Sequence, residues 1–212
     1  MLASRWNQLC QNAGLDGRAA WTAIADSYGG PGRAYHNLRH IADCLDLLDE
    51  YAGLAADPVA VAFAIWFHDI VYDPRAADNE ERSAAAAAEF LAPTPLGPEV
   101  VDLVLATRHG TFALSADAAL ICDIDLSILG RPPAQYAAYA EAIRLEYAWV
   151  PPPQYAEGRS RVLGGFLERP QIFTHREFRQ RFGAQAKVNL AWELRELASP
   201  PVLPGQSTSA TR

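Results

Sequence analysis

The sequence predicts an all-α protein, a compact irregular bundle of helices. Three observations carry this reading. Alanine is abundant and good helix formers fill the stretches between breakers. The polar–apolar alternation of a half-buried strand is almost absent. Apolar residues recur instead at spacings of three and four.

"NLRHIADCLDLLDEYA", residues 37–52, lines up Leu38, Ile41, Leu45 and Leu48 on one stripe of a helix. "DPVAVAFAIWFHDI", residues 57–70, opens with Asp57 as N-cap and Pro58 in the first helical position. Its middle is apolar almost all round, so a central, buried helix is expected. "DNEERSAAAAAEFL", residues 78–91, starts with Asp78 as N-cap and Glu81 three positions on, a capping-box variant. "GPEVVDLVLATRHG", residues 97–110, sets Val100, Val104 and Leu105 on one side and is expected to end at Gly110.

"ALICDIDLSIL", residues 119–129, is an apolar run holding two acids, Asp123 and Asp125. "PAQYAAYAEAIRLEYAWV", residues 133–150, is amphipathic and expected to stop at the "PPP" of residues 151–153. "QYAEGRSRVLGGFLER", residues 154–169, reads as helix despite Gly164 and Gly165. "THREFRQRFGAQAKVNLAWELRELA", residues 174–198, reads as one long helix with Thr174 and Glu177 as a capping box. The end, 199–212, is rich in Pro, Ser and Thr and is expected to be a disordered tail, leaving 1–198 as a single domain.

Composition narrows the function classes. The net charge is −7 and no basic stripe is visible, which argues against a grip on duplex nucleic acid. A small phosphorylated substrate stays open, because a metal and a few local arginines can outweigh the acidic balance. Cys10, Cys44 and Cys122 are widely spaced and odd in number, which suggests buried or idle thiols in a reducing cytoplasm. No apolar run reaches the length of a membrane span. Surplus apolar helix surface leaves room for a homodimer.

The chemistry lies in a few polar residues set in apolar surroundings. His36 and His40 stand four apart in "YHNLRHI" and would share a helical face. His68 and Asp69 end the most apolar segment, where a carboxylate is costly unless paired or bound to a metal. Read alone, such a pair is more often a satisfied core histidine and a capping acid than a ligand pair. His109 closes "VLATRHG", and Asp123 and Asp125 lie further along the chain. Imidazole and carboxylate together suit Zn, Mn, Fe, Co or Ni. Such groups, drawn from separate apolar segments, satisfy one another economically around one ion.

His40, the His68–Asp69 pair and Asp125, as an ordered "H…HD…D", resemble the HD superfamily of metal-dependent phosphohydrolases. "YHNLRH" and "DIDLSIL" are similar to the "YHNxxH" and "ADLS" signatures of the cyclic-nucleotide phosphodiesterases in that superfamily. "YHNLRHI", "WFHDIVYD", "DNEERSA", "ATRHG", "DIDLSILG", "IRLEY" and "GR" together resemble a family of small bacterial HD-type phosphohydrolases, over about residues 33–197.

The resemblance implies an HD-type bundle with His40, His68, Asp69 and Asp125 as ligands of one or two divalent ions: Mn, Fe, Co, Ni, Zn or Mg. Asp69 would bridge two ions and so count among the catalytic groups. Asp125 is preferred to Asp123 on the "DLS" match, since two helical positions turn through roughly 200°. Asp123 is then a cap, an outer partner or a surface acid. His36 matches the histidine that protonates the leaving oxygen, against a solvated or capping reading. Glu80 would orient a water or a ligand histidine, or simply favour its helix N-terminus. His109 would hold a second ion or a substrate phosphate, or sit at a helix dipole. Arg108, Arg144 and Arg159 are candidate phosphate contacts, or surface ion pairs. Tyr72 and Tyr147 are core or pocket wall. The expected activity is hydrolysis of a phosphate ester or anhydride, such as a nucleotide, by metal-activated water. A di-iron oxygenase and a non-catalytic metal- or nucleotide-binding sensor are the other readings.

Overall fold

The computed structural model describes residues 2–109 and 115–199, and the tail expected over 199–212 lies outside them from residue 200 onward. Among the described residues every regular element is a helix. In chain order they are α1 (Leu2–Asn12), α2 (Arg18–Tyr28), α3 (Leu38–Glu50), α4 (Pro58–Phe67), α5 (Asn79–Leu91) and α6 (Gly97–Ala106). Then come α7 (Ala116–Asp125), α8 (Pro133–Glu146), α9 (Pro152–Glu168), α10 (Arg176–Phe178) and α11 (Ala184–Ala198).

Helix α4 is the centre of the bundle, as its all-round apolarity predicts. Asp57 caps it by accepting from the N–H groups of Val59 and Ala60, both at 2.9 Å, with Pro58 in its first turn. Phe63, Trp66 and Phe67 are buried, and Trp6 of α1 packs edge-on against all three. Each such side chain contributes about 1.5–3 kcal/mol on burial. Helices α3, α5, α6 and α7 surround α4.

Helix α7, which carries both candidate acids of the "CDID" stretch, is anchored through buried carboxylates. Ser115 caps its start. Asp117 is buried and accepts the N–H groups of Ala56 and Asp57 at 2.7 and 2.8 Å, fixing this end to the start of α4. Asp123, also buried, accepts the N–H groups of Thr174 and His175 at 2.7 and 2.6 Å, and meets His175 Nδ1 at 2.9 Å. A short 3₁₀ turn, Leu126–Gly130, continues α7. A Cβ added at Gly130 would overlap Phe182, so glycine is what lets this turn seat there.

Several local expectations need correction. Asp78 makes no side-chain cap on α5; Asn79 clasps the backbone of Asp73 there instead. Thr174 and Glu177 form no capping box; Asp123 reaches across from α7 to accept the N–H groups of Thr174 and His175. The long helix of 174–198 is interrupted by a wide π turn, Arg179–Gly183, where Phe182 meets Gly130. The prolines do not only end a helix. Pro152 and Pro153 begin α9, where a missing N–H costs nothing. Helix α6 stops at Ala106, short of Gly110, which lies outside the described residues.

A candidate metal centre beside an aromatic chamber

Four side chains from three parts of the chain meet beside α4. His40 comes from the first turns of α3, His68 and Asp69 from the end of α4, and Asp125 from the last position of α7. His40 Nε2 lies 3.2 Å from His68 Nε2, 3.1 Å from Asp125 Oδ1 and 3.6 Å from Asp69 Oδ2. His68 Nε2 lies 3.0 Å from Asp69 Oδ2 and 3.7 Å from Asp125 Oδ1. Ligands about 2.1 Å from one ion stand roughly 3.0–3.4 Å apart in octahedral or tetrahedral arrangements, which the separations of 3.0, 3.1 and 3.2 Å match and those of 3.6 and 3.7 Å slightly exceed. His40, His68 and Asp125 can hold a metal ion.

The local fold aims these atoms. His68 donates from Nδ1 to the carbonyl of Ile65 at 2.9 Å, which leaves Nε2 with its lone pair directed at the cluster. The Cys44 thiol lies 3.7 Å from both ring nitrogens of His40, and it is Nε2 of that ring that faces His68 and Asp125. Two buried imidazole nitrogens 3.2 Å apart need a proton or a cation between them. Without metal a proton takes that part: burial opposes the charge on His68, but Asp69 and Asp125 outweigh it and hold the ring well above its ordinary range. Burial likewise opposes charge on Asp69 and Asp125, yet the surrounding histidines keep both carboxyls below their ordinary range.

Arg33 fixes the geometry from beneath. Its guanidinium donates to the carbonyls of His36 (3.0 Å), Asp69 (2.7 Å) and Ile70 (2.8 Å). It also lies over the rings of Tyr28 and Tyr72. One side chain thus ties the backbone of the "YHN" turn to that of the His68–Asp69 turn.

His36 stacks on Tyr72, with ring centroids 4.1 Å apart. Its Nδ1 meets Glu146 Oε2 at 2.6 Å, and the other oxygen of Glu146 accepts the N–H groups of Tyr35 and His36. Tyr72 donates to Glu146 as well, at 2.8 Å. Burial disfavours the His36 cation, but Asp69 and Glu146 prevail and raise the ring above its ordinary 6.5. Glu146, at the end of α8, is the residue that sequence reasoning missed. The stretch "IRLEY" contained it, but nothing local distinguished this acid from a solvated one.

The other candidates separate. His109 has a positive φ of 55°, unusual for a residue with a side chain, and its Nε2 meets Asp125 Oδ2 at 2.8 Å. It lies beyond the end of α6, beside the candidate metal-ligand cluster. Its Nδ1 is buried without a partner among the described residues. Glu80 lines the same cavity near the cluster. Arg108 is exposed and pairs with Glu81. Arg144 spends its fork on the carbonyls of Tyr147 and Val150. Only Arg159 of the three arginines borders the cavity. Tyr72 and Tyr147 form its wall. Asp123 faces away from the cluster, buried rather than on the surface. Cys10, Cys44 and Cys122 are buried and free.

The cavity has two parts. A polar part of about 340 Å³ holds His68, Asp69, Glu80 and His109. It shares His36, Tyr72, Glu80, His109, Asp125 and Tyr147 with a chamber of about 600 Å³ whose other walls are mainly apolar and aromatic. A further cavity of about 460 Å³ reaches His40 and Asp125 from behind the Tyr35–Tyr139 pair. Among the described residues no helix is long and apolar enough to cross a membrane. Comparison of the chain with protein-family models, with curated proteins and with solved structures finds no match, so geometry alone carries the reading of this site.

Proposed function

We propose that this protein is a metal-dependent phosphohydrolase that cleaves a phosphate ester or anhydride of a small molecule, with nucleotides the first class to test. The observation that carries the reading is the convergence of His40, His68, Asp69 and Asp125, with a separate His36–Glu146 pair opening onto the same cavity. A divalent ion bound there would supply a Lewis acid that makes water acidic and draws charge from phosphoryl oxygens.

The chain's own residues do the rest. His40 and His68 offer neutral lone pairs, and Asp69 and Asp125 supply the negative charge that a divalent ion needs. His36, protonated and held by Glu146, presents its Nε2–H to the cavity as a general acid. The bond from phosphorus to the leaving oxygen breaks as a water oxygen bonds to phosphorus. The His36 proton ends on the leaving oxygen, and the proton that water loses returns the ring to its acid form through solvent. Glu80 and His109 stand where they can orient that water or a phosphoryl oxygen.

The test is metal analysis of protein purified without chelator, then a panel of nucleotides, phosphomonoesters and phosphodiesters with Mn, Co, Ni, Mg and Zn. Phosphate release that disappears in His68→Ala and Asp69→Ala is the expected result. Tight ligand binding without turnover would replace this reading with a sensor. Mixed-valence iron with oxygen uptake would replace it with a di-iron oxygenase.

A further inference from the structure

Besides His36, Glu80, His109 and Asp125, which it shares with the polar part, the chamber next to the His–Asp cluster has one further charged side chain, and this charge is cancelled from outside. Arg159, on α9, borders the chamber with its side chain 10% exposed. Its Nε and one terminal nitrogen donate to the two oxygens of Glu193, at 2.8 and 3.2 Å. Glu193 sits on α11, is 5% exposed in its side chain, and is not part of the chamber wall. Tyr136 donates to the same carboxylate at 2.5 Å. The guanidinium therefore enters the chamber already neutralised. Much of the remaining wall is apolar or aromatic, including Ile143, Val150, Val162 and Phe166 with the rings of Tyr139 and Tyr155, and Gln154 adds an uncharged polar group. Its volume of about 600 Å³ is typical of small-molecule sites.

A largely apolar, part-buried wall of this kind rewards flat apolar surface and disfavours an ion that loses water there and finds no uncompensated partner. Resting on the phosphoester reading above, we infer that the chamber holds the uncharged, ring-bearing half of a substrate with a single phosphoryl group. We further infer that Glu193 sets this preference by cancelling Arg159. A leaving group with a carboxylate or a second phosphate is a poor occupant.

The experiment uses the manganese-loaded full chain and matched ligands. Binding is read by calorimetry with methylphosphonate, 4-carbamoylbenzylphosphonate and 4-carboxybenzylphosphonate, none of which can be hydrolysed. The corresponding phosphate esters report turnover. The carbamoyl compound is expected to bind at least about tenfold more tightly than either of the others. Glu193→Gln keeps the shape and frees the arginine charge, so the carboxy-to-carbamoyl affinity ratio should rise several-fold. Should that variant not fold, Val162→Trp provides a second check. Val162 is 52% exposed, and the added ring narrows the chamber. It should weaken the benzyl compounds relative to methylphosphonate. Equal binding of all three ligands, or a carboxylate preferred by the wild type, overturns the inference. Selective binding with no turnover of any ester leaves the chamber assignment standing and overturns the phosphohydrolase reading.

Discussion

His36 Nδ1 and Glu146 Oε2 stand 2.6 Å apart although 110 residues separate them in the chain. The contact fixes which ring nitrogen faces the cavity and favours the charged imidazole. Because the His36 pKa is raised, its acid form persists above pH 6.5 and is lost as pH rises through the folded value. The alkaline limb of kcat should therefore fall above 6.5. Glu146→Gln should move that limb to lower pH. An unmoved limb in kcat–pH profiles would remove His36 as the acid.

Replacing His36 by Ala should lower kcat by ~10²–10⁴-fold on esters with poor leaving groups, with metal content unchanged. Esters whose alcohol leaves without a proton should suffer far less. Steady-state rates across a series of aryl phosphates check this, together with metal analysis of the same samples.

Metal binding should release protons. The carboxylates around His68 keep its ring charged in the metal-free protein, and an ion must displace that proton. Apparent affinity should fall as pH drops. Calorimetry of manganese binding in buffers of differing ionisation enthalpy measures the number released, and a value of zero contradicts this expectation.

Arg33→Lys keeps the charge and loses the planar fork that reaches three carbonyls. The "YHN" turn and the His68–Asp69 turn should then drift relative to each other. The expected outcome is a fall in kcat of tenfold or more, roughly what misplacement by a fraction of an ångström costs. KM should change little. Kinetics and metal content measured together separate this from loss of the ion.

Gly130→Ala should destabilise the protein by about 1–3 kcal/mol, since the new methyl overlaps Phe182. Urea unfolding measures the difference. The ion should rescue part of it, because Asp125 stands only five residues away in the same turn of chain.

The helical class was legible because period and composition agree along the chain, and α4 announced its position by being apolar on every side. His40, His68, Asp69, His109, Asp123 and Asp125 stood out because polar groups in apolar runs demand partners; only the resemblance singled out Asp125 over Asp123, and the structure places His40, His68 and Asp125 together with Asp69 beside the histidines. What stayed hidden depends on contacts between distant segments. Glu146 looks like any acid at the end of an amphipathic helix until His36 is placed beside it. Asp123 replaces the expected Thr174–Glu177 cap from another helix, which no local pattern records. Phe178 and Phe182 fit a regular helix by spacing, and only the seat on Gly130 reveals the wide turn. Arg144 and Arg159 are alike in sequence; one is spent on carbonyls and the other on Glu193.

Helix α7 behaves as a beam pinned at two points. Asp117 bolts one end to α4, Asp123 bolts the other to the 174–175 turn, and Asp125 overhangs just past the second pin. From Asp117 to Asp125 the beam is roughly 12 Å long at 1.5 Å per residue. Loosening the far bolt, which touches neither ligand nor cavity, should tilt the overhang and slacken the grip on the ion. Asp117→Asn would then be a long-range dial on metal affinity.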